Sequence, residues 1–337
     1  MPMNNFDAND PAFSLLSLTN AINIIPNMYG RLNEIGLFPV KGVATRQIAI
    51  EAYEGVLTLL PAKAVGSPGS TGKVGKRKVR TFEIPHIPHD DFVKPEDVQG
   101  IRKFGSESSA RGMPDAIAEK LATMRAKHAI TLEWMRCNAL RGVVKDGESN
   151  TLVNLFTEFG ITQKEVNFAL TTSTTDVRAK CMEVIRHMED NLLGETMSGV
   201  WALASPEFMD ALTNHAKVID AYKFYSSNTM MRSDVRKRFE FAGITFEEYR
   251  GVATDPAGNS QKFVPANDVR FFPLGTNSAF NTYFAPADFN ETVNTIGIEL
   301  YAKQEPMKFG RGMEIHTQSN PLPFCSRPAL LVRGHKS

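Results

Sequence analysis

Residues 114–142 read PDAIAEKLATMRAKHAITLEWMRCNALRG, and they predict the clearest helix of the chain. Pro114 and Asp115 are residue types that suit the first turn of a helix. The side chains that then recur at helical spacing are Ile117, Leu121, Met124, His128, Leu132 and Met135. Gly142 stops this pattern, so the helix is predicted over residues 114–141.

The segments that follow this helix alternate between helical and strand-like patterns. Val143–Lys145 and residues 152–156 flank Asp-Gly-Glu-Ser-Asn at 146–150, which predicts a hairpin. The later predicted elements are a helix over 176–193, a buried strand over 199–204, a helix with Ser205 as its cap, and short strands separated by turns from Phe239 onward. The chain is therefore predicted to be α+β, with separate helical and strand-rich regions.

The segment before the long helix predicts an extended hairpin. Strand-like runs at 45–51 and 56–60 join at Tyr53-Glu54-Gly55, and strand-like alternation resumes over 79–84, after a Gly/Ser/Pro tract and a basic run. A lone hairpin of this length is marginal in water unless something covers it. The first forty residues mix short apolar runs with Asn, Pro and Gly, and we interpret them as an extended arm that buries little against its own chain.

The basic residues at the predicted hairpin tip are candidates for a subunit interface. They are Lys73, Lys76, Arg77, Lys78 and Arg80. No aromatic side chains are interleaved with them, unlike in a platform that binds single-stranded nucleic acid. Contact with another protein is favoured over a merely solvated loop tip, and contact with nucleic acid comes last.

Composition limits the classes of protein that fit this chain. The 337 residues are 42% hydrophobic, which is ample for a core divided into two or three lobes. Lys and Arg total 38 against 37 for Asp and Glu, and this balance argues against a dedicated nucleic-acid binder. Cys137, Cys181 and Cys325 are too widely spaced to predict a disulfide framework or a zinc site. Neither a signal peptide nor a membrane helix is expected, so synthesis in the cytoplasm is predicted.

Motifs for catalysis and for cofactor binding are weak. The glycine tract differs from a phosphate-binding loop because Ser67 replaces a required glycine and Val74 replaces the Ser or Thr that binds magnesium. The cluster His86-Ile-Pro-His-Asp-Asp91 could bind a metal, but no further ligand follows at a suitable spacing, so a polar turn is favoured. Cys181 lies on an apolar helical stripe and is predicted to be a core residue. No cofactor, metal or enzymatic activity is predicted.

Several short motifs occur in a recognisable order along the chain. The first set is TRQIAIE at 45–51, GVLTLL at 55–60, FEIP at 82–85 and DVQGIRKFG at 97–105. The second set is FVP at 263–265, PLG at 273–275, YFAP at 283–286, QSNPLP at 318–323 and Arg327-Pro328. In residues and in order, these motifs resemble the major capsid protein E family of lambda-like tailed phages, from about residue 40 to the end.

This resemblance implies the Hong Kong 97-type phage capsid fold. The parts that it implies are an N-terminal arm at 1–44, an extended loop (E-loop) at 45–95, a peripheral domain at 96–170 with its spine helix at 114–141, a mainly axial domain at 171–275, and C-terminal strands at 276–337 that return to the peripheral domain. The lambda-like resemblance gives no support for covalent cross-linking between subunits, and none is predicted.

The function implied by the resemblance is that of a major capsid protein, located in the virion. Copies would form hexamers and pentamers of an icosahedral head shell around double-stranded DNA, without sequence-specific contact. The implied partners are a scaffolding protein and a portal protein, and the sequence leaves open whether a decoration protein also binds. Two alternatives remain open, namely the shell of a cellular nanocompartment of the same fold and an unrecognised hydrolase within residues 170–275.

Overall fold

The computed structural model describes residues 30–54, 76–99, 112–224 and 238–337. Their helices are α1 (Arg31–Ile35), α2 (Met113–Leu140), α3 (Leu155–Phe159), α4 (Val177–Asn191), α5 (Pro206–Thr213) and α6 (Ala216–Phe224). Their strands are β1 (Val40–Gly42), β2 (Gln47–Glu54), β3 (Lys76–Glu83), β4 (Ile87–Val93), β5 (Val143–Lys145), β6 (Thr151–Asn154), β7 (Lys164–Asn167), β8 (Gly199–Ala204), β9 (Phe239–Phe241), β10 (Ile244–Glu248), β11 (Val252–Thr254), β12 (Ser260–Lys262), β13 (Asp268–Leu274), β14 (Phe280–Phe284), β15 (Tyr301–Pro306), β16 (Met313–Ser319), β17 (Pro321–Cys325) and β18 (Val332–His335). The predicted α+β class is confirmed.

A six-stranded mixed sheet is the largest sheet in this part of the chain. Its strand order is β7–β18–β13–β8–β10–β9, with β8 parallel to β10 and antiparallel to β13. Strand β13 is buried from Asp268 to Pro273, and its apolar residues Val269, Phe271 and Phe272 fit a strand that is covered on both faces. Two three-stranded sheets, β15–β16–β4 and β1–β14–β17, lie beside three hairpins, β2–β3, β5–β6 and β11–β12.

Helix α2 joins two hydrophobic cores. Its first turns contribute Ala116, Ile117, Leu121 and Met124 to a small core with β4, β15 and β16. Its last turns contribute Trp134, Met135, Cys137, Ala139 and Leu140 to the main core. The observed helix agrees with the one predicted over 114–141. None of the helices in the described ranges has the length and apolar character needed to cross a membrane.

The predicted helices after α2 are confirmed, and so is the predicted cap Ser205. In α4 the buried residues are Val177, Cys181, Val184 and Met188, which form one face of the helix. Asp176 caps this helix by accepting a hydrogen bond from the backbone N–H of Ala179 at 3.0 Å. Ser205 caps α5 in the same way, with the N–H of Phe208 as its donor. Both caps depend on local sequence, and the helix starts predicted at Asp176 and Ser205 agree with them.

The interpretation of the first forty residues as an arm that buries little is wrong for the described part. Leu32, Leu37 and Phe38 are buried in the main core. Strand β1 pairs in parallel with β14, with Val40 opposite Thr282. These partners lie far along the chain, so no local pattern could indicate them. Residues 1–29 lie outside the described residues.

The predicted hairpin exists, but its first strand continues further than expected. Tyr53 and Glu54 were assigned to a turn, whereas both belong to β2 and pair with Arg77 and Lys76 of β3. The backbone hydrogen bonds of this ladder outweigh the weak turn signal of a single Gly55. The second predicted run, 56–60, lies outside the described residues.

The prediction of a polar turn at 86–91 is also wrong for most of these residues. Ile87–Val93 form strand β4, which pairs antiparallel with β16 from Ser319 to Met313. Its burial alternates along the strand, so that polar side chains occupy one face of a half-covered sheet. A strand of this type can carry His and Asp residues, because every second side chain reaches solvent.

Candidate assembly surface

Four of the five basic interface candidates lie in one strand. Lys76, Arg77, Lys78 and Arg80 belong to β3, and Lys73 lies outside the described residues. The prediction of a flexible tip is wrong for Lys76, Arg77 and Lys78, because their backbones pair with β2, whereas Arg80 lies within the strand that was predicted over 79–84. Within the described residues β2 and β3 form a two-stranded sheet without a third strand. Such a ribbon is marginal in water unless another surface covers it.

The base of this ribbon is anchored in the main core. Ile48 and Phe82 are each 5% exposed, and Ile84 just beyond the ribbon is buried as well. The ring centroid of Phe82 lies 4.7 Å from that of Phe324. Burial of one such side chain stabilises the folded state by about 1.5–3 kcal/mol. The base of the ribbon is therefore held in the main core, and the rest of the ribbon extends from this point.

The side chain of Arg80 has partners within its own chain. Its Nε donates a hydrogen bond to the carbonyl oxygen of Glu158 at 2.8 Å. Its guanidinium carbon lies 4.7 Å from the centroid of the Phe159 ring, which is a cation–π distance. Arg80 therefore tethers the ribbon to α3, whereas its neighbour Val79 is 55% exposed.

The segment before β1 is held by a buried polar cluster around Glu133 of α2. Glu133 Oε1 accepts hydrogen bonds from the backbone N–H of Leu32 and from the hydroxyl of Tyr249, each at 2.9 Å. Burial raises the pKa of the Glu133 carboxyl and that of the Tyr249 hydroxyl. On the other side of α1, Arg31 pairs with Glu247 at 2.6 Å. This cluster fixes the point at which the N-terminal segment enters the fold.

Phe309 is a highly exposed aromatic residue, and the sequence did not reveal its exposure. It lies between β15 and β16 and is 90% exposed, with the guanidinium carbon of Arg311 at 5.6 Å from its ring. Its φ is +65°, a left-handed conformation that is unfavourable for a bulky side chain. The available signal was an aromatic residue within the glycine-containing turn Phe309-Gly-Arg-Gly312.

Two exposed apolar side chains lie between β14 and β15. Val293 is 66% exposed and Ile296 is 67% exposed, and both follow a short 3-10 turn at Asn290–Thr292. The backbone here is fixed, because the N–H of Gly297 donates to the carbonyl oxygen of Val43 at 2.9 Å.

Cys181 and His187, both on α4, have surroundings that fit a structural role. Cys181 is fully buried, and burial raises the pKa of its thiol to about 12, so it stays protonated at neutral pH. His187 hydrogen-bonds the carbonyl oxygen of Ala329 at 3.0 Å. Among the described residues, no group of three or more His, Cys, Asp or Glu side chains is arranged to hold a metal.

Comparisons with known proteins agree with the resemblance in the sequence. The family described as phage major capsid protein E matches residues 14–336. The major capsid protein of Pseudomonas phage KPP10 is 33% identical over 339 residues, which is 96% of each chain. The major capsid protein of Salmonella phage Felix O1 is 27% identical over 351 residues, which is 95% of each chain.

Solved capsid structures resemble this fold at low sequence identity. The mature capsid of bacteriophage PhiM1 gives a TM-score of 0.57 at 13% identity, and the match covers 93% of this chain and 88% of that one. The capsid of cyanophage P-SCSP1u gives a TM-score of 0.53 at 12% identity, with 89% and 86% covered. Likeness at this identity supports a common fold of the Hong Kong 97 type.

Proposed function

The chain belongs to the phage major capsid protein E family, and from this premise we propose that copies of it build the icosahedral head shell of a tailed phage around double-stranded DNA. The observation that carries the proposal is the extent of the match. The family covers residues 14–336, and the KPP10 relative is a major capsid protein aligned over 96% of this chain. The chain is a structural protein of the virion and not an enzyme.

We propose that the five parts implied by the resemblance are present in this chain. Helix α2 supports a spine helix at 114–141, because it joins two cores over 28 residues. The β2–β3 ribbon supports an E-loop that begins near residue 45. Strands β8, β9, β10 and β13 share one sheet, which supports a mainly axial domain at 171–275. Strands β15 and β16 support a C-terminal return, since they pair with each other and β16 pairs with β4.

The subunit interface is proposed to include the basic run Lys73, Lys76, Arg77, Lys78 and Arg80. The β2–β3 ribbon has no third strand among the described residues, so a neighbouring copy is the natural cover for it. An acidic surface on that copy would complement the basic strand. Arg80 has a second role in this proposal, since its hydrogen bond to Glu158 sets the direction in which the ribbon leaves the subunit.

The remaining partners follow from the requirements of a closed shell. We propose hexamers and pentamers of this chain, a scaffolding protein that guides their assembly and a portal protein at one vertex. Packaged DNA would touch the inner surface without sequence-specific contact. This contact would be weak, since the formal net charge of +1 provides no general basic excess. Synthesis is proposed to take place in the host cytoplasm.

Electron microscopy of the purified, overexpressed chain tests this function directly. Closed shells, tubes or isolated hexamers and pentamers are the expected products, because each needs the same lateral contacts. A chain that stays monomeric at every concentration, in low and in high salt, would contradict the proposal. Generic esterase and phosphatase substrates serve as a control, and no turnover is expected.

A further inference from the structure

A basic cavity lies where the end of α2 and the β5–β6 hairpin meet the six-stranded sheet. Its volume is about 480 Å³. The charged residues of its lining are Arg141, Lys145, Asp268, Arg270 and Arg333. The cavity belongs neither to the β2–β3 ribbon nor to the exposed apolar residues, and its interpretation does not depend on the proposed function.

The sheet places two arginines side by side in this cavity. Arg270 of β13 is the direct antiparallel partner of Arg333 of β18, an arrangement that is unfavourable for like charges. Asp268 bridges them, accepting from Arg270 Nη2 at 2.7 Å and from Arg333 Nε and Nη2, both at 3.1 Å. Arg333 also donates to Glu165 at 3.0 Å. Two carboxylates therefore neutralise this arginine pair.

Arg141 and Lys145 add positive charge that these carboxylates do not balance. The lining has four positively charged side chains, and the two carboxylates of Asp268 and Glu165 balance two of them. Two positive charges therefore remain. Burial lowers the pKa of Arg270 to about 10 and also lowers the pKa of Arg141, because the site is poorly solvated. A site with such an excess of partly buried positive charge favours an anionic ligand.

Unused hydrogen-bond donors point to the same conclusion. Arg270 is only 6% exposed, yet its Nε has no hydrogen-bond partner among the described residues. The buried Nε2 of Gln163, another lining residue, likewise has none within the described part of the chain. Buried donors are normally satisfied, so each of these indicates a missing acceptor. The side chain of Arg333 is 36% exposed, which gives a solute access to the site.

We propose that this cavity binds a phosphate group. Guanidinium groups match phosphate oxygens in a bidentate geometry, and a phosphate dianion equals the two positive charges that remain. The phosphate could come from free inorganic phosphate or from the backbone of DNA. Free phosphate as a dianion balances both remaining charges, whereas a backbone diester carries one negative charge and balances one of them, and both present the oxygens that guanidinium groups bind.

Calorimetric titration of the full chain with inorganic phosphate, at constant ionic strength, tests this site. Arg141→Gln and Lys145→Gln are each expected to weaken binding about tenfold or more, because each removes a charged donor. Lys303→Gln is the matched control, since Lys303 pairs with Glu291 at 3.2 Å in a different sheet, and it should leave affinity unchanged. Competition by a short DNA duplex would assign the site to backbone phosphate, and a lack of competition would assign it to the free ion.

Phosphate binding that is absent in the parent, or equally strong in all three variants, would overturn the proposal. An assembled particle with an Asp or Glu of a neighbouring copy seated in the cavity would overturn it too. Protection of Arg141 and Arg333 from phenylglyoxal by phosphate provides a test on the parent chain that does not depend on the variants folding. No protection at saturating phosphate would also contradict the site.

Discussion

The aromatic ring of Phe156 occupies the space that a Cβ on Gly142 would need. Gly142 also has φ +78°, which is the left-handed region that glycine adopts without cost. Its carbonyl oxygen accepts a hydrogen bond from the N–H of Leu155 at 2.8 Å. This glycine therefore ends α2 and lets the β5–β6 hairpin fold back so that Phe156 packs against the end of the helix.

Replacement of Gly142 by alanine should destabilise the full chain measurably. The left-handed backbone costs an L-residue roughly 1–2 kcal/mol, and overlap with Phe156 adds about 1–3 kcal/mol. Denaturant unfolding followed by circular dichroism measures the sum. Gly160→Ala is the control for the backbone effect alone, since Gly160 has φ +64° and a Cβ added there would meet no atom within 4 Å. If Gly142→Ala unfolds no earlier than Gly160→Ala, the contact with Phe156 has no energetic role.

Local signals in the sequence were sufficient for the elements that depend on neighbouring residues. Gly142, Asp176 and Ser205 each mark a helix boundary through their own backbone or side chain, and the structure confirms all three boundaries. The spacing of Val177, Cys181, Val184 and Met188 likewise predicted the buried face of α4. In these cases the interacting residues lie within about one helical turn of each other.

Long-range pairing explains what the sequence could not predict. Leu32 docks on Glu133, 101 positions away, so the apolar residues of the first segment looked unpartnered. The basic residues at 76–78 looked like part of a loop because glycines precede them, yet pairing with β2 holds them in a strand. A single sequence also does not show which side chains are exposed. The exposure of Phe309 was not predicted, because an aromatic residue is usually interpreted as a core residue.

Glu133 provides a test of how the N-terminal segment is held. Glu133→Ala should cost about 2–5 kcal/mol, because it leaves the buried donors of Leu32 and Tyr249 without their acceptor. Glu133→Gln keeps one acceptor oxygen and should cost less. Limited proteolysis near residue 30, together with thermal unfolding, measures both effects. Equal stability of the alanine variant and the parent would contradict this role.

The raised pKa of Glu133 also predicts how the free energy of unfolding changes with pH. Burial makes the folded chain hold this proton more tightly than the unfolded chain does. The contribution of Glu133 to the free energy of unfolding is therefore largest below the ordinary carboxyl pKa of about 4.3 and decreases as pH rises through the raised value. Glu133→Gln should lack this decrease. The difference in unfolding midpoint between parent and variant, followed from pH 4 upward, would reveal it.

His128 should make the packing of α2 on its small sheet sensitive to acid. It is buried, and its Nε2 lies 3.0 Å from the Thr317 hydroxyl. Burial, with His89 on β4, His316 on β16 and Lys127 on the same helix, lowers its pKa to about 3. The unfolded chain, with a histidine pKa near 6.5, then binds the proton more readily. The stability that neutral His128 provides is present above pH 6.5 and is lost as pH falls towards 3.

Replacement of His128 by glutamine should flatten this acid dependence. Relative to the parent, the free energy of unfolding of His128→Gln should improve by about 2 kcal/mol between pH 7 and pH 5, since each pH unit contributes at most about 1.4 kcal/mol. His187→Gln, the same exchange on α4, serves as the control. Parallel pH curves for the parent and His128→Gln would show that His128 is not the acid-sensitive group.

Phe309 should matter for assembly and not for folding. Phe309→Gly removes an aromatic ring that is 90% exposed and relieves its left-handed backbone, so the free energy of unfolding should stay the same or rise by up to about 1 kcal/mol. Particle yield should fall, because exposed aromatic residues often carry much of the binding energy of an interface. Phe309→Tyr keeps the ring and should assemble normally. Full particle yield from the glycine variant would show that Phe309 has no role in assembly.

The basic strand β3 gives the sharpest test of the proposed interface. Reversal of Lys76, Arg77 and Lys78 to Glu should leave the fold intact by circular dichroism and should reduce particle yield. Single exposed ion pairs contribute only about 0–1 kcal/mol, but several acting together change association by a few kcal/mol. Arg80 is left unchanged, because its hydrogen bond to Glu158 anchors the ribbon within the subunit. The defect should resemble that of the parent in raised salt, since screening weakens the same contacts.

A charge-preserving triple variant separates charge from side-chain shape at these positions. Lys76→Arg, Arg77→Lys and Lys78→Arg together keep all three positive charges, so this variant should assemble with nearly the parent yield and with the same salt dependence. If it fails as badly as the Glu variant, shape and not charge governs the contact, and an acidic partner surface is the wrong explanation. If the Glu variant assembles normally, the basic run is only solvated, and the cover of the ribbon must contact other residues of β2 and β3.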